Sequence, residues 1–125
     1  MNIRPIALFA AALLAAFPAF AEDKVFAPTD LAGLKEMNGR EVTVEGTVAA
    51  QAENKAATVR YLNFSKNYRE SVALVFFVGK SADDFSKEKL GAFVGKKVRV
   101  TGAVGMYHDA PQIRIDKLDQ IKVQP

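Results

Sequence analysis

A chain of 125 residues, half of them apolar, a tenth aromatic and a quarter charged, has the composition of one globular domain, which excludes a disordered tail or a multidomain machine. Its formal charge of +3 is too small for the surface as a whole to attract polyanions, so any basic site must be local. It contains no cysteine, so disulfides and acylation on a cysteine are both excluded and stability must come from packing.

The first element is a targeting pattern. Arg4 precedes an apolar run from Ile6 to Phe17, and Ala19-Phe20-Ala21 supplies a small-x-small site ahead of Glu22-Asp23. Residues 1–21 are therefore expected to be an export signal, leaving 22–125 as the domain. A membrane anchor is the competing reading, but an unbroken span takes about 20 apolar residues, and this run is shorter, with Pro18 close to its end. The product is expected to be periplasmic or secreted, with no membrane insertion after cleavage.

Thr29 to Met37 reads as a brief helix capped by Thr29 or Asp30, with Leu31, Leu34 and Met37 on one side and Asn38-Gly39 at its end. From Glu41 the period changes to two, with Val42, Val44, Val48 and Ala50 alternating against Thr43, Glu45 and Thr47. Thr58 to Phe64 and Ser71 to Val78 follow as strands. The connection Ser65-Lys66-Asn67-Tyr68-Arg69-Glu70 has hairpin length, which makes the pair antiparallel. A helix is predicted from Ser81 to Leu90, since Ser81 and Asp84 have capping-box spacing. Lys96 to Gly105 and Gln112 to Val123 complete five strands, and Val42, Val44, Val98, Val100, Ile113 and Ile115 are predicted to point inward.

Residues 39–48 and 95–104 echo one another as Gly, basic, x, Val, x, Val, x, Gly, x, Val. Gly39 and Gly95 are expected to end helices, and Gly46 and Gly102 to mark places where a side chain would crowd a bend or bulge. A small closed barrel needs such corners. The predicted fold is therefore mainly β, a five-stranded OB-fold barrel with a short helix between strands 3 and 4 and a short N-terminal helix. A five-strand roll of the SH3 type is the rival and lacks a helix at that place.

The segment Gly39 to Val48, Tyr61-Leu62-Asn63-Phe64, Phe76-Phe77, Gly95 to Gly102, Pro111-Gln112-Ile113-Arg114-Ile115 and Gln120-Ile121 together resemble the small bacterial OB-fold nucleic-acid-binding domains. Some of these are exported, alone or attached to secreted nucleases. The likeness spans nearly all of residues 22–125. Its Val-x-Val-x-Gly-x-Val elements mark only the fold, whereas Leu62-Asn63-Phe64 and Pro111-Gln112-Ile113 are more specific. The resemblance implies binding and not catalysis, and OB-folds bind sugars and proteins as well.

The catalytic chemistries find no support in the residues. One histidine, His108, no cysteine and no His-Glu-x-x-His spacing argue against a zinc site, and no cofactor is expected. Asp83-Asp84 read as helix-start carboxylates, which suit the helix dipole better than a cation site; Asp116 with Asp119 could also touch a hard cation. No Gly-x-Ser-x-Gly elbow or phosphate loop occurs, and a serine triad would have to recruit His108 without a motif. Thermonuclease-type enzymes use an OB core with an Asp, Glu and Arg set that is not found in order here. The chain is expected not to be an enzyme.

The strongest local signal runs from Lys55 to Arg69, where Lys55, Arg60, Lys66 and Arg69 occur with no acidic residue and are interleaved with Tyr61, Asn63, Phe64, Asn67 and Tyr68. Cations follow phosphates, aromatic faces stack on bases and amides reach base edges. Tyr61 and Phe64, three apart on a strand, face opposite ways, so at least one belongs to the core. Phe76 and Phe77 obey the same parity, and whichever points outward needs a cover: a helix, a partner protein or a base. Tyr107-His108-Asp109-Ala110-Pro111 joins the last two strands where an OB-fold ligand loop lies. The candidate nucleic-acid-binding residues are Arg60, Tyr61, Asn63, Lys66, Tyr68, Arg69, Tyr107, His108 and Arg114, although Lys66, Arg69 and His108 also suit a solvated loop. Two functions remain open. One is an exported module for single-stranded nucleic acid or oligonucleotides; the other is a periplasmic OB-fold module for a protein, such as another envelope protein, a saccharide or a small cationic ligand.

Overall fold

Alternating valines and isoleucines, set between two short capped helices, build a sheet around one apolar core. The computed structural model describes residues 24–79 and 82–125, so the predicted export signal at 1–21 and the proposed cap Ser81 lie outside the described residues. In chain order the elements are β1 (Val25–Phe26), α1 (Leu31–Glu36), β2 (Glu41–Thr47), β3 (Ala50–Glu53), β4 (Val59–Asn63), β5 (Ala73–Phe77), α2 (Lys87–Gly91), β6 (Lys97–Tyr107), β7 (Ala110–Arg114) and β8 (Ile121–Val123). Single 3-10 turns occur at Tyr68–Glu70 and Leu118–Gln120.

The mainly β reading holds, but the closed five-stranded barrel is corrected to eight strands in an open mixed sheet. The ladder order is β1-β2-β6-β7-β5-β4-β3, with β8 also paired to β6. β1 lies parallel to β2 and β5 parallel to β7, and the other pairs are antiparallel. The physical reason is that two of the five predicted strands break, and the short β1, which precedes them, adds the eighth. At Val48 and Ala49 the backbone N–H groups donate to opposite neighbours, Lys96 O at 3.0 Å and Asn63 O at 2.8 Å. The first predicted strand thus divides into β2, which pairs with β6, and β3, which pairs with β4. The last divides at Asp116–Gln120, where the Gln120 Oε1 accepts from the N–H groups of Asp116 and Lys117 at 2.7 and 2.9 Å. β8 then returns to β6, whose 11 residues pair first with β2 and then with β7, while Val98–Val100 also pair with β8.

Both helices are shorter than their sequence patterns. Asp30, as expected, caps α1 by accepting from the Gly33 N–H at 3.0 Å. α2 begins only at Lys87, because Ser86 is its cap and accepts from the Lys89 N–H at 3.2 Å. Asp83 and Asp84 therefore sit in a preceding exposed turn and not at the helix start, while Phe85 packs edge-on against Phe76 at 5.3 Å.

Leu34 of α1 and Leu90 of α2 are fully buried in the same core as Val42, Val44, Val98, Val100, Ile113 and Ile115, all of which point inward as predicted. Gly39 and Gly95, with φ of +85° and +86°, each close the turn after a helix, as the echo implies. Gly46 and Gly102 do not interrupt their strands. They face Val98 and Val42 in a continuous β2–β6 ladder, and what excludes a side chain is close packing, by Pro28 at Gly46 and by Ile113 at Gly102.

Candidate functional site

Strand alternation sorts the central strands into two faces. Leu62, Leu74, Phe76 and Ile113 point inward and are completely buried. Tyr61 and Asn63 of β4, Ala73 and Val75 of β5, and Gln112 and Arg114 of β7 occupy the other face. The register aligns them in two rows, Ala52–Tyr61–Val75–Arg114 and Asn63–Ala73–Gln112–Gly105. Small side chains at Ala52, Ala73 and Ala110 leave a depression of about 680 Å³ across this outer face.

Two loops raise its walls. On one side the 3-10 turn at Tyr68–Glu70 is fixed by local hydrogen bonds: Asn67 Oδ1 accepts from the Arg69 N–H at 3.1 Å, and Ser65 Oγ donates to the Glu70 carboxylate at 3.2 Å. It presents Tyr68, 61% exposed, with the Arg69 guanidinium 5.3 Å from its ring centre. On the other side β6 and β7 are joined by His108-Asp109 alone, both with positive φ, +50° and +64°. Tyr107 stands beside that turn, 57% exposed and edge-on to His108 at 4.2 Å.

Six of the nine candidate residues line this groove: Tyr61, Asn63, Tyr68, Arg69, Tyr107 and His108. These include all three tyrosines and the single histidine of the chain. Three candidates lie elsewhere. Arg60 is on the opposite side of β4, where it donates to Phe85 O and, at 3.3 Å, to Glu53. Lys66 is exposed in the loop that carries Tyr68 but does not line the groove. Arg114 lies along the same face beyond it, paired with Asp116 at 3.0 Å and stacked 4.7 Å from the Phe77 ring centre.

The parity arguments are decided by the same geometry. Phe64 packs on the core while Tyr61 reaches the groove. Phe76 is buried and Phe77 is 48% exposed, with the Arg114 guanidinium over its ring where a helix, partner or base was anticipated.

Arg69 and Glu53 are the charged residues of the lining, but the Glu53 carboxylate pairs with Lys87 and with Arg60, which lies on the opposite side of β4. The Lys87 ammonium, 3.1 Å from Glu53, together with Arg60 holds that carboxyl below the usual carboxylate range. Sequence reasoning missed Glu53, Ser71 and Gln112 in the lining. Gln112 was within reach of it, since Asn63 faces Ala73 and Ala73 faces Gln112 across successive ladders. Among the described residues, no three His, Cys, Asp or Glu side chains gather as a metal site, and no helix is long and apolar enough to cross a membrane.

Comparison with solved structures places this architecture among OB-fold proteins. The OBody AM1L10 bound to hen egg-white lysozyme is similar with a TM-score of 0.52 and 21% identity, over 73% of this chain and 84% of that one. A chain of the S. pombe Stn1-ten1 complex is similar at 0.50 and 14%, over 67% of this chain and 57% of that one. A putative aspartyl-tRNA synthetase from Leishmania major Friedlin is similar at 0.51 and 13%, over 95% of this chain but only 26% of the synthetase. At these identities the likeness establishes the fold and nothing finer. The sequence matches no protein-family model and no curated protein.

Proposed function

We propose that this OB-fold domain is an exported binding module, not an enzyme, and that it holds single-stranded nucleic acid or oligonucleotides in the groove across β4, β5 and β7. The observation that carries the reading is the gathering of Tyr61, Tyr68, Tyr107 and His108 around one groove, with Arg69 on its wall. Exposed aromatic rings are costly in water and supply stacking faces that every base can use, at about 1 to 3 kcal/mol per base. Arg69 in the lining, with the exposed Lys66 in the same loop, supplies charge for a phosphate backbone. The strand pair and the β6–β7 turn are also where OB-folds take oligonucleotides and oligosaccharides. Export rests on the pattern in residues 1–21.

A protein ligand is the second reading. It is favoured by the similarity to an OBody bound to lysozyme. Anisotropy titration of the purified protein against labelled single-stranded DNA at several salt concentrations separates the two. The first reading expects saturable binding that weakens as salt rises. An absence of saturable binding, with the fold intact by circular dichroism, transfers the groove to the second.

A further inference from the structure

Of the three exposed aromatic side chains among the described residues, Tyr68 and Tyr107 belong to the groove and Phe77 does not. Its position follows from the register. Phe77 pairs with Val59 on β4, one row beyond the Tyr61–Val75 pair and on the same outer face. The β5–β7 ladder ends at Val75–Arg114, so at Phe77 β5 has a neighbour only on its β4 side.

Arg114, the last residue of β7, fills that step. Its guanidinium lies 4.7 Å from the Phe77 ring centre, and its Nε donates to Asp116 Oδ1 at 3.0 Å. A long, flexible side chain is thus held at two points, yet it remains 60% exposed. Stability does not explain the arrangement, because an ion pair this exposed contributes little and the phenylalanine would be better buried. Nor does Arg114 stand as a free charge for phosphate, since Asp116 neutralises it. What it offers is the flat face of the guanidinium that is turned away from Phe77. Such a plane stacks on aromatic rings and on bases alike.

We infer that Arg114, held on Phe77, is a second base-stacking station. A strand that fills the tyrosine groove continues over the buried Val75 and lays a further base on the free face of the guanidinium, giving a Phe77–Arg114–base stack. This rests on the nucleic-acid reading of the groove and adds a station outside it. Along the row Tyr61–Val75–Arg114 the outer residues are two strand spacings apart, about 10 Å at the backbone. The station therefore adjoins the groove but is reached only by strands long enough to leave it.

The test titrates wild type, Arg114→Ala, Arg114→Lys and Phe77→Ala by anisotropy with labelled dT oligomers of about 4 to 16 nucleotides, the range of OB-fold site sizes. Wild-type affinity should keep rising with length after the groove is filled. Arg114→Ala should match wild type on the shortest strand that binds saturably and fall about two- to thirtyfold below it on the longest. Arg114→Lys keeps the charge without the plane, so it should fall as far as Arg114→Ala. Phe77→Ala removes the support and should lose affinity at the same lengths. Both positions are exposed, so the variants should fold as wild type does, which circular dichroism checks. Restoration of wild-type affinity by Arg114→Lys would assign a phosphate contact and overturn the stack. An equal loss on strands of every length would place Arg114 within the groove's own site, and unchanged affinity on all of them would leave the patch to a protein contact. Either result overturns the second station while the groove reading stands. Failure of every strand to bind wild type overturns both.

Discussion

Gly102 offers a stability test whose size follows from the geometry. A methyl group placed there would lie 2.7 Å from Ile113 Cγ2 and 3.0 Å from both the Arg114 carbonyl oxygen and Gln120 Nε2. Two of these neighbours cannot move cheaply. Ile113 is completely buried, and Arg114 O is backbone at the end of β7. Gln120 could swing aside, but its Nε2 donates to Thr101 O at 2.9 Å and to Arg114 O at 3.3 Å, and its Oε1 holds the Asp116 and Lys117 N–H groups. Overpacking costs about 1 to 3 kcal/mol, and a weakened hydrogen bond adds about 1 kcal/mol. The entropy gained on leaving glycine offsets roughly 0.5 to 1 kcal/mol. Gly102→Ala should therefore destabilise the domain by about 1 to 3.5 kcal/mol, lowering the thermal midpoint by roughly 5 to 25 °C in a domain of this size. Gly105→Ala is the control on the same strand, with nothing within 4 Å of the added carbon, and should be neutral or stabilising by up to about 1 kcal/mol. Urea and thermal unfolding followed by circular dichroism measure both. Equal stability of the two variants would refute the packing argument.

The remaining predictions concern the groove and its rim. Replacing Lys66 and Arg69 together by Ala should reduce the log–log salt slope of single-strand binding by about 1.4, since each phosphate contact contributes roughly 0.7; an unchanged slope would remove both from the backbone path. Tyr68→Ala should cost about 1 to 3 kcal/mol of binding with little change in slope, because stacking releases few ions; anisotropy at three salt concentrations reads both effects. Asp109→Gly should raise the urea midpoint by the equivalent of roughly 0.5 to 1 kcal/mol, because glycine adopts the left-handed φ of +64° without strain. The ion pair it loses, Lys35 to Asp109 at 3.7 Å, joins exposed groups and contributes little; a lowered midpoint would show that the pair outweighs the strain.

The core and the strand-borne part of the groove were legible in the sequence because both follow from period two. Val42, Val98 and Ile113 declare their side by alternation, and the same rule separates Tyr61 from Phe64 and Phe76 from Phe77. What alternation does not report is where a strand changes partner. Val48-Ala49 keeps an extended, apolar sequence through the point where its N–H groups turn to different neighbours, so β2 and β3 read as one strand. The start of α2 was misplaced because the sequence offers Ser81 as a cap, whereas Ser86, five residues on, accepts from the Lys89 N–H and begins the helix. Arg60 looked like a phosphate ligand in an acid-free stretch, yet its partner Glu53 comes from the adjacent strand and is invisible to a local reading. Ser71 escaped notice for a related reason, since a serine at a strand start is ordinary until its burial is known.

The central claim, that single strands stack in the tyrosine groove, can be measured without any label. The chain has three tyrosines and no tryptophan, and all three tyrosines line the groove, so its tyrosine emission comes entirely from that site. Titration with an unlabelled single-stranded oligonucleotide, corrected for absorption by the bases, should quench that emission saturably, with the same midpoint as anisotropy. Saturable anisotropy with emission unchanged would place the strand elsewhere on the protein and contradict the account.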